Sequence, residues 1–195
     1  QDELNAIRES FKLVSSPDNR KMPSSSPSYY YPYVSFLILT GCRPEEAIAL
    51  EWGDVNWIDL TISINKAFSY GQLKCTKNKK SRTITINPQL SSLLENDCPS
   101  KDQHRLIFPS ADPGSEYIVQ KNFNSRHFKP RIEKLHHNKI ITKILPCYNI
   151  RNSWITLMLK KGIDIATVSK LSGTSERMII DNYWGADDST IIPEI

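Results

Sequence analysis

Few residues in this chain have a type and placement suited to chemistry. Tyr183 closes Asn182-Tyr183-Trp184 near the C-terminus, where a phenol at the end of a short helix can be presented to a partner. Arg43 lies in Gly41-Cys42-Arg43-Pro44-Glu45-Glu46-Ala47, a turn between two apolar helical segments. A guanidinium held between packed helices is not an ordinary solvated charge. Thr76-Lys77-Asn78-Lys79-Lys80-Ser81 is a basic hairpin turn, and Lys121, Arg126, Lys129, Arg131 and Lys134 form a basic set suited to a phosphate backbone. Each feature alone has a bland explanation: a half-buried aromatic, a solubilising turn, a solvated helix face. A net charge of +4 and a pI near 8.8 add a mild lean towards an anionic partner.

Other chemistries find little support. Cys42, Cys75, Cys98 and Cys147 show no CxxC spacing and no histidine at ligand spacing, so they read as reduced, partly buried thiols and not as a disulfide framework or zinc site. His136-His137 is the one histidine pair, and neighbours on a helix point apart, so no metal and no cofactor is expected. No run of about 18 apolar residues is present, so no membrane partner is expected. The chain opens Gln1-Asp2-Glu3-Leu4, without a signal-peptide pattern or an initiator methionine, which predicts a fragment of a longer cytoplasmic protein.

The elements that must position these residues follow from periodicity. With 195 residues, 39% of them hydrophobic, the chain can build one core. Leu4, Ile7, Phe11 and Val14 predict a first helix with Asp2 as its N-cap. A Ser- and Pro-rich loop follows, then a helix from about Ser28 to Thr40 that stops at Gly41 and takes Pro32 in its first turn. Arg43-Pro44 enters a third helix carrying Ile48 and Leu50. From Asp54 the period becomes alternating: Leu60 to Ile64 and Arg82 to Ile86 read as half-buried strands, with Phe68 to Cys75 as a weaker third. Pro88 opens a helix through Leu90, Leu93 and Leu94, Gln120 to His136 is moderately helical, and Pro146 starts a helix that runs past Ile150 and Trp154 to Gly162. Val168 to Ile180 predicts two short packed helices around Ser172-Gly173-Thr174-Ser175.

Taken together, Thr40-Gly41-Cys42-Arg43-Pro44-Glu45-Glu46, the Thr76-Lys77-Asn78 turn, Tyr148-Asn149-Ile150-Arg151, and Ser172-Gly173-Thr174 ahead of Tyr183 resemble the successive motifs of the tyrosine recombinase (phage integrase) catalytic domain. The resemblance covers nearly the whole chain, in the same order and with similar spacing. It implies a mainly α fold with a small three-stranded antiparallel β-sheet, an α+β catalytic domain spanning residues 1–195, and a missing N-terminal core-binding domain. It also implies a site-specific recombinase or integrase that cleaves and rejoins double-stranded DNA through a 3′-phosphotyrosine, in integration or excision of a mobile element. A homotetramer on paired DNA sites and a cytoplasmic, nucleoid-associated location go with that activity.

Breaking a phosphodiester without a metal needs a nucleophile, a charge clamp on the non-bridging oxygens and an acid for the leaving 5′ oxygen. By the resemblance, Tyr183 is the nucleophile, Arg43 and Arg151 are the clamp, and Lys77 is the acid. Guanidinium suits the clamp because it is always charged and donates two parallel hydrogen bonds. Glu46 matches the family's acidic position and would support the scaffold; a plain helix salt bridge accounts for it equally well. Two positions depart from the commonest pattern. Tyr148 stands where the family usually has histidine, and a phenol can donate to phosphate but is a poor base at neutral pH. Thr174 stands where histidine or tryptophan is usual and offers a shorter hydroxyl donor. The alternatives are a catalytically degenerate member that only binds DNA, and a type IB topoisomerase-like activity that relaxes it.

Overall fold

The computed structural model describes residues 1–12, 26–75, 81–98, 102–103 and 105–183. The domain is arranged around one helix that meets water on almost no side. In α2 (Tyr31–Thr40), residues Pro32 to Ile38 and Thr40 are all buried, as a helix apolar on every face must be. Around it pack α1 (Asp2–Phe11), α3 (Pro44–Ile48), α4 (Pro88–Asn96) and α7 (Asn149–Lys160). Phe11, Tyr30, Tyr33, Phe123 and Phe128 interlock on one flank, with ring centroids 5.0 to 6.2 Å apart. Edge-to-face and offset contacts at such distances add to simple area burial.

Helix boundaries differ from the periodicity in informative ways. The N-cap of α1 is Gln1, and Asp2 is its first residue, where its charge faces the positive end of the helix dipole. A single 3₁₀ turn, Pro27–Tyr30, precedes α2, and Pro32 does sit in the first turn of α2. The basic stretch is broken in three: α5 (Gln120–Phe123), a π-helical turn Asn124–Phe128, and α6 (Lys129–His137). Pro130 in the first turn of α6 has no N–H to continue a regular ladder, and the chain widens just before it.

The strands are β1 (Val55–Asn56), β2 (Thr61–Ile64), β3 (Lys66–Ser69), β4 (Gln72–Cys75) and β5 (Arg82–Thr85). A three-stranded antiparallel sheet forms in the order β1-β2-β5, so the expected sheet is present, but its third member is Val55–Asn56. The segment predicted for that place, Phe68 to Cys75, instead contributes to a separate two-stranded ribbon, β3 with β4. Tyr70 and Gly71 explain the change: both take positive φ, 52° and 74°, and such a two-residue turn folds the segment back on itself. A two-residue strand is too short to show alternation, so the sequence could not announce β1.

After α6 the chain turns through Pro146-Cys147-Tyr148 into α7, so the helix starts three residues later than Pro146. The last elements are α8 (Ile165–Ser172), capped by the Asp164 side chain on Thr167 N–H at 2.9 Å, and α9 (Glu176–Tyr183). They form a small second cluster, Trp154, Ile155, Val168 and Ile179, against which Tyr183 packs half-buried. One of its attachments to the main core lies at the end of α2. Trp154 Nε1 donates to Leu39 O at 3.2 Å, and its ring lies over Gly41, where a Cβ would overlap it. Gly41 also caps α2 with φ 62°, a conformation side chains rarely adopt.

Candidate active site

The site gathers at the C-terminal end of α8. Three successive carbonyls there receive three different arginines. Leu171 O accepts from Arg82 Nε at 2.9 Å, Ser172 O from Arg151 Nη1 at 2.7 Å, and Gly173 O from Arg43 Nη2 at 2.9 Å. The last carbonyls of a helix lack intrahelical partners and carry the negative end of its dipole, so they are natural seats for guanidinium groups. Gly173 ends α8 with φ 69°, and a Cβ on it would lie 2.9 Å from Arg82 Nη1. Glycine is therefore required twice over at this turn.

Arg151, on the first turn of α7, is almost wholly buried. Its Nη1 also donates to Gly41 O at 2.8 Å, so it bridges the ends of α2 and α8, and its Nη2 donates to the Thr174 hydroxyl. Among the described residues all its hydrogen-bond acceptors are uncharged oxygens. Burial, followed by the like charge of Arg43, pushes its pKa down, yet an arginine remains charged at neutral pH. It is thus a positive charge held in a partly dry place without a dedicated counter-ion.

Arg43 sits at the N-cap of α3, and Glu46 one turn later is buried beside it. Glu46 Oε1 accepts from Arg43 Nη1 and from Arg82 Nη1, both at 2.9 Å. Its Oε2 accepts from Arg82 Nη2 at 2.6 Å, from the Arg43 backbone N–H at 3.1 Å and from the Cys42 thiol at 3.4 Å. Burial alone would raise the carboxyl pKa. The hydrogen bonds and charge of Arg82, then the charge of Arg43, outweigh it and hold the pKa at about 2. Glu46 therefore makes the expected pair with Arg43 but is shared with a second arginine.

Tyr183, the last residue of α9, directs its hydroxyl at the residue after Arg151: its O–H donates to Asn152 Oδ1 at 2.8 Å. Burial and then Tyr148 raise its pKa, while Arg151 opposes them, so the phenol carries its proton at neutral pH. Tyr148 is the N-cap of α7, is 43% exposed and is a neighbour of both Tyr183 and Arg151. Thr174 Oγ1 accepts from Arg151 and so keeps its own hydroxyl proton for a further acceptor. Arg43, Glu46, Tyr148, Arg151, Thr174 and Tyr183, 140 positions apart in sequence at the extremes, converge on one locus. Lys77 lies outside the described residues, as do Trp184 and the tail.

Two contributors were not singled out from sequence. Arg82 was read only as the start of a strand, yet Arg82, Ile84 and Ile86 share one face of an alternating segment whose isoleucines are buried. A charged residue in a core-facing phase is a detectable signal of a buried partner. Asn152 carried no signal: an amide beside an arginine on a helix is ordinary. Of the basic set on α5 and α6, Arg131 is committed to structure, donating to Ser10 O at 3.0 Å and lying 4.9 Å from the Phe11 ring centre. Arg126 faces Asp112 at 3.7 Å, and Lys129 faces Glu133 at 3.7 Å.

The phage integrase family model matches residues 8–189, and the chain belongs to that family. It is 29% identical over 160 residues to the ICEBs1 integrase of Bacillus subtilis, covering 77% of this chain and 43% of that protein. It is 26% identical over 162 residues to a protein named as an integrase/recombinase in Haemophilus influenzae, covering 83% of this chain and 45% of that one. The chain thus spans less than half the length of these curated relatives. Among solved structures, the Tn1549 transposon integrase in complex with transposon right end DNA superposes with a TM-score of 0.70 at 15% identity, over 94% of this chain and 60% of that one. XerH recombinase bound to its difH substrate gives 0.63 at 18% identity, over 97% and 50%. The fold is that of a tyrosine recombinase catalytic domain.

Proposed function

We propose that residues 1–195 are the catalytic domain of a site-specific DNA recombinase that cleaves and rejoins double-stranded DNA through a 3′-phosphotyrosine, serving integration or excision of a mobile element. The observation that carries this reading is the seating of three arginines on consecutive carbonyls of α8 with one carboxylate among them. Three guanidinium charges against one carboxylate leave a surplus positive charge beside a tyrosine hydroxyl. A phosphodiester flanking Tyr183 would supply the missing negative charge.

In the reaction the Tyr183 oxygen attacks the scissile phosphorus, and the bond to the 5′ oxygen breaks as the phosphotyrosine bond forms. Arg43 and Arg151 neutralise charge on the non-bridging oxygens, the role in which preorganised donors lower a barrier most. The Thr174 and Tyr148 hydroxyls donate to the same oxygens. Lys77 gives a proton to the departing 5′ oxygen. Asn152 is an amide and takes no proton, so the phenol proton leaves to water at the open side of the site. Rejoining reverses each step, and a free 5′ hydroxyl from a second duplex gives recombination. The enzyme acts as a homotetramer on paired sites, in the cytoplasm with the nucleoid. The named relatives and the DNA complexes of the structural neighbours support this assignment.

The test is incubation of the full-length protein with nicked candidate-site DNA, which loses the short cleaved end and traps the intermediate. A denaturation-resistant protein–DNA band that disappears in Tyr183→Phe is the expected result. DNA binding without any such band would leave a binding protein. Relaxation of plasmids lacking a defined site would move the reading towards a topoisomerase-like activity.

A further inference from the structure

We infer that Arg82 is a positioning residue for the phosphate clamp: by taking the larger share of Glu46 it keeps the charge of Arg43 available to the substrate. The inference rests on the recombinase reading given above and concerns how the same site is held. Its basis is an unequal division of one carboxylate between two guanidiniums. Arg82, with its side chain 10% exposed, binds both oxygens of Glu46, at 2.9 and 2.6 Å. The Arg43 guanidinium, 34% exposed, binds one, at 2.9 Å, and turns its other terminal nitrogen to Gly173 O at the rim, while the Arg43 backbone N–H takes the other oxygen at 3.1 Å.

Two parallel hydrogen bonds make a stronger and more rigid pair than one. The carboxylate is thus matched chiefly to the inner arginine, which has no route to a ligand of its own: its Nε is held by Leu171 O and its Nη2 also faces Cys42 Sγ at 3.6 Å. Burial works against the Arg82 charge, but the bonds to Glu46 more than compensate and raise its pKa. Without Arg82, Glu46 would remain buried and ionised, with Arg43 as its one close cation. Such a pair would be neutral, and Arg43 would be drawn inward from the phosphate. Arg82 also ties β5 to the end of α8, so the same side chain fixes the carbonyls on which Arg43 and Arg151 rest.

This gives a suppressor test that a merely structural role would fail. In single-turnover cleavage of nicked DNA by the full-length protein, Arg82→Ala is expected to lower adduct formation by about 100-fold, the range for losing one charge-stabilising group. Arg82→Ala with Glu46→Gln should recover much of that loss, because the unmatched carboxylate is gone. A methylphosphonate at the scissile position, which removes one negative charge, should shrink the Arg82→Ala defect to under about 10-fold. A double variant no better than the single one, together with equal defects on phosphate and methylphosphonate, would overturn the inference. Arg82→Lys keeps the charge without the fork and should fall between the parent and alanine.

A second readout needs no cleavage. Inorganic sulfate should raise the melting temperature of the parent, raise that of Arg82→Ala less, and regain its effect in the double variant. If the parent forms no adduct, the recombinase reading fails, and the sulfate series still decides the role of Arg82. The same sulfate response in all three proteins would overturn it.

Discussion

Tyr183 and Asn152 are joined by a 2.8 Å hydrogen bond in which the phenol donates and the amide oxygen accepts. The bond ties the last residue of α9 to the first turn of α7, so the proposed nucleophile is held beside Arg151 by a neighbour of Arg151 itself. Replacing Asn152 with alanine removes the acceptor and leaves the phenol free to rotate. Adduct formation should slow by roughly 10-fold, as expected for loss of orientation at a reacting group, with DNA affinity unchanged in a gel-shift assay. Parent-like rates in Asn152→Ala would show that the contact does not hold the productive geometry.

Tyr148 and the usual histidine can be compared directly. Tyr148 is exposed and is a neighbour of both Tyr183 and Arg151. If it donates to phosphate as a neutral group, Tyr148→Phe should lower cleavage several-fold, while Tyr148→His should retain or raise it, since imidazole also donates and can exchange a proton near neutrality. Indistinguishable rates for the phenylalanine variant and the parent would remove Tyr148 from the mechanism.

Glu46 gives the domain an acid-sensitive component. Its folded pKa of about 2 lies below the 4.5 of an unperturbed glutamate. The unfolded chain therefore binds a proton first as pH falls, and the stability due to Glu46, complete above pH 4.5, is lost between 4.5 and about 2. The full effect is on the order of 3 kcal/mol. Urea midpoints should fall across that window in the parent and fall less steeply in Glu46→Gln. Parallel curves for the two proteins would contradict the ion-pair network seen here.

Much of this could be read from the sequence, and the gaps have physical causes. Arg43, Arg151, Thr174 and Tyr183 stand in separate short stretches that were read together, and the structure brings them to one locus. The central helix was visible in its apolar run, and its end in Gly41. What stayed hidden was relational. Whether Phe68 to Cys75 joins the main sheet depends on two positive φ values at Tyr70 and Gly71, and a tyrosine does not advertise that conformation. The division of Glu46 between Arg43 and Arg82 depends on a contact 36 positions away, which no local pattern contains.

Gly41 offers a stability test at the point where Trp154 of α7 meets the end of α2. Alanine there must adopt a φ of 62° and force the Trp154 ring off the end of α2. Strain and overpacking together should cost about 2–4 kcal/mol, read as a drop in urea midpoint. The loss should come with a weakened Trp154–Leu39 contact, visible as a change in tryptophan fluorescence. Unaltered stability in Gly41→Ala would mean that α7 is not fastened at this point.

The unequal anchoring of the helices has a consequence for timing. Eight residues of α2 are buried, whereas α9, which carries Tyr183, buries Ile179 alone. Detaching α9 exposes little more than one aliphatic side chain and half a phenol, roughly 2–4 kcal/mol of apolar contact. Its amides should therefore exchange with deuterium far faster than those of α2, by a local opening that leaves the core intact. The arginines spring from α3, β5 and α7, while the hydroxyl is delivered by a helix with one buried side chain. The proposed cleavage would then be open to switching by small forces on one short helix, with the main core left intact.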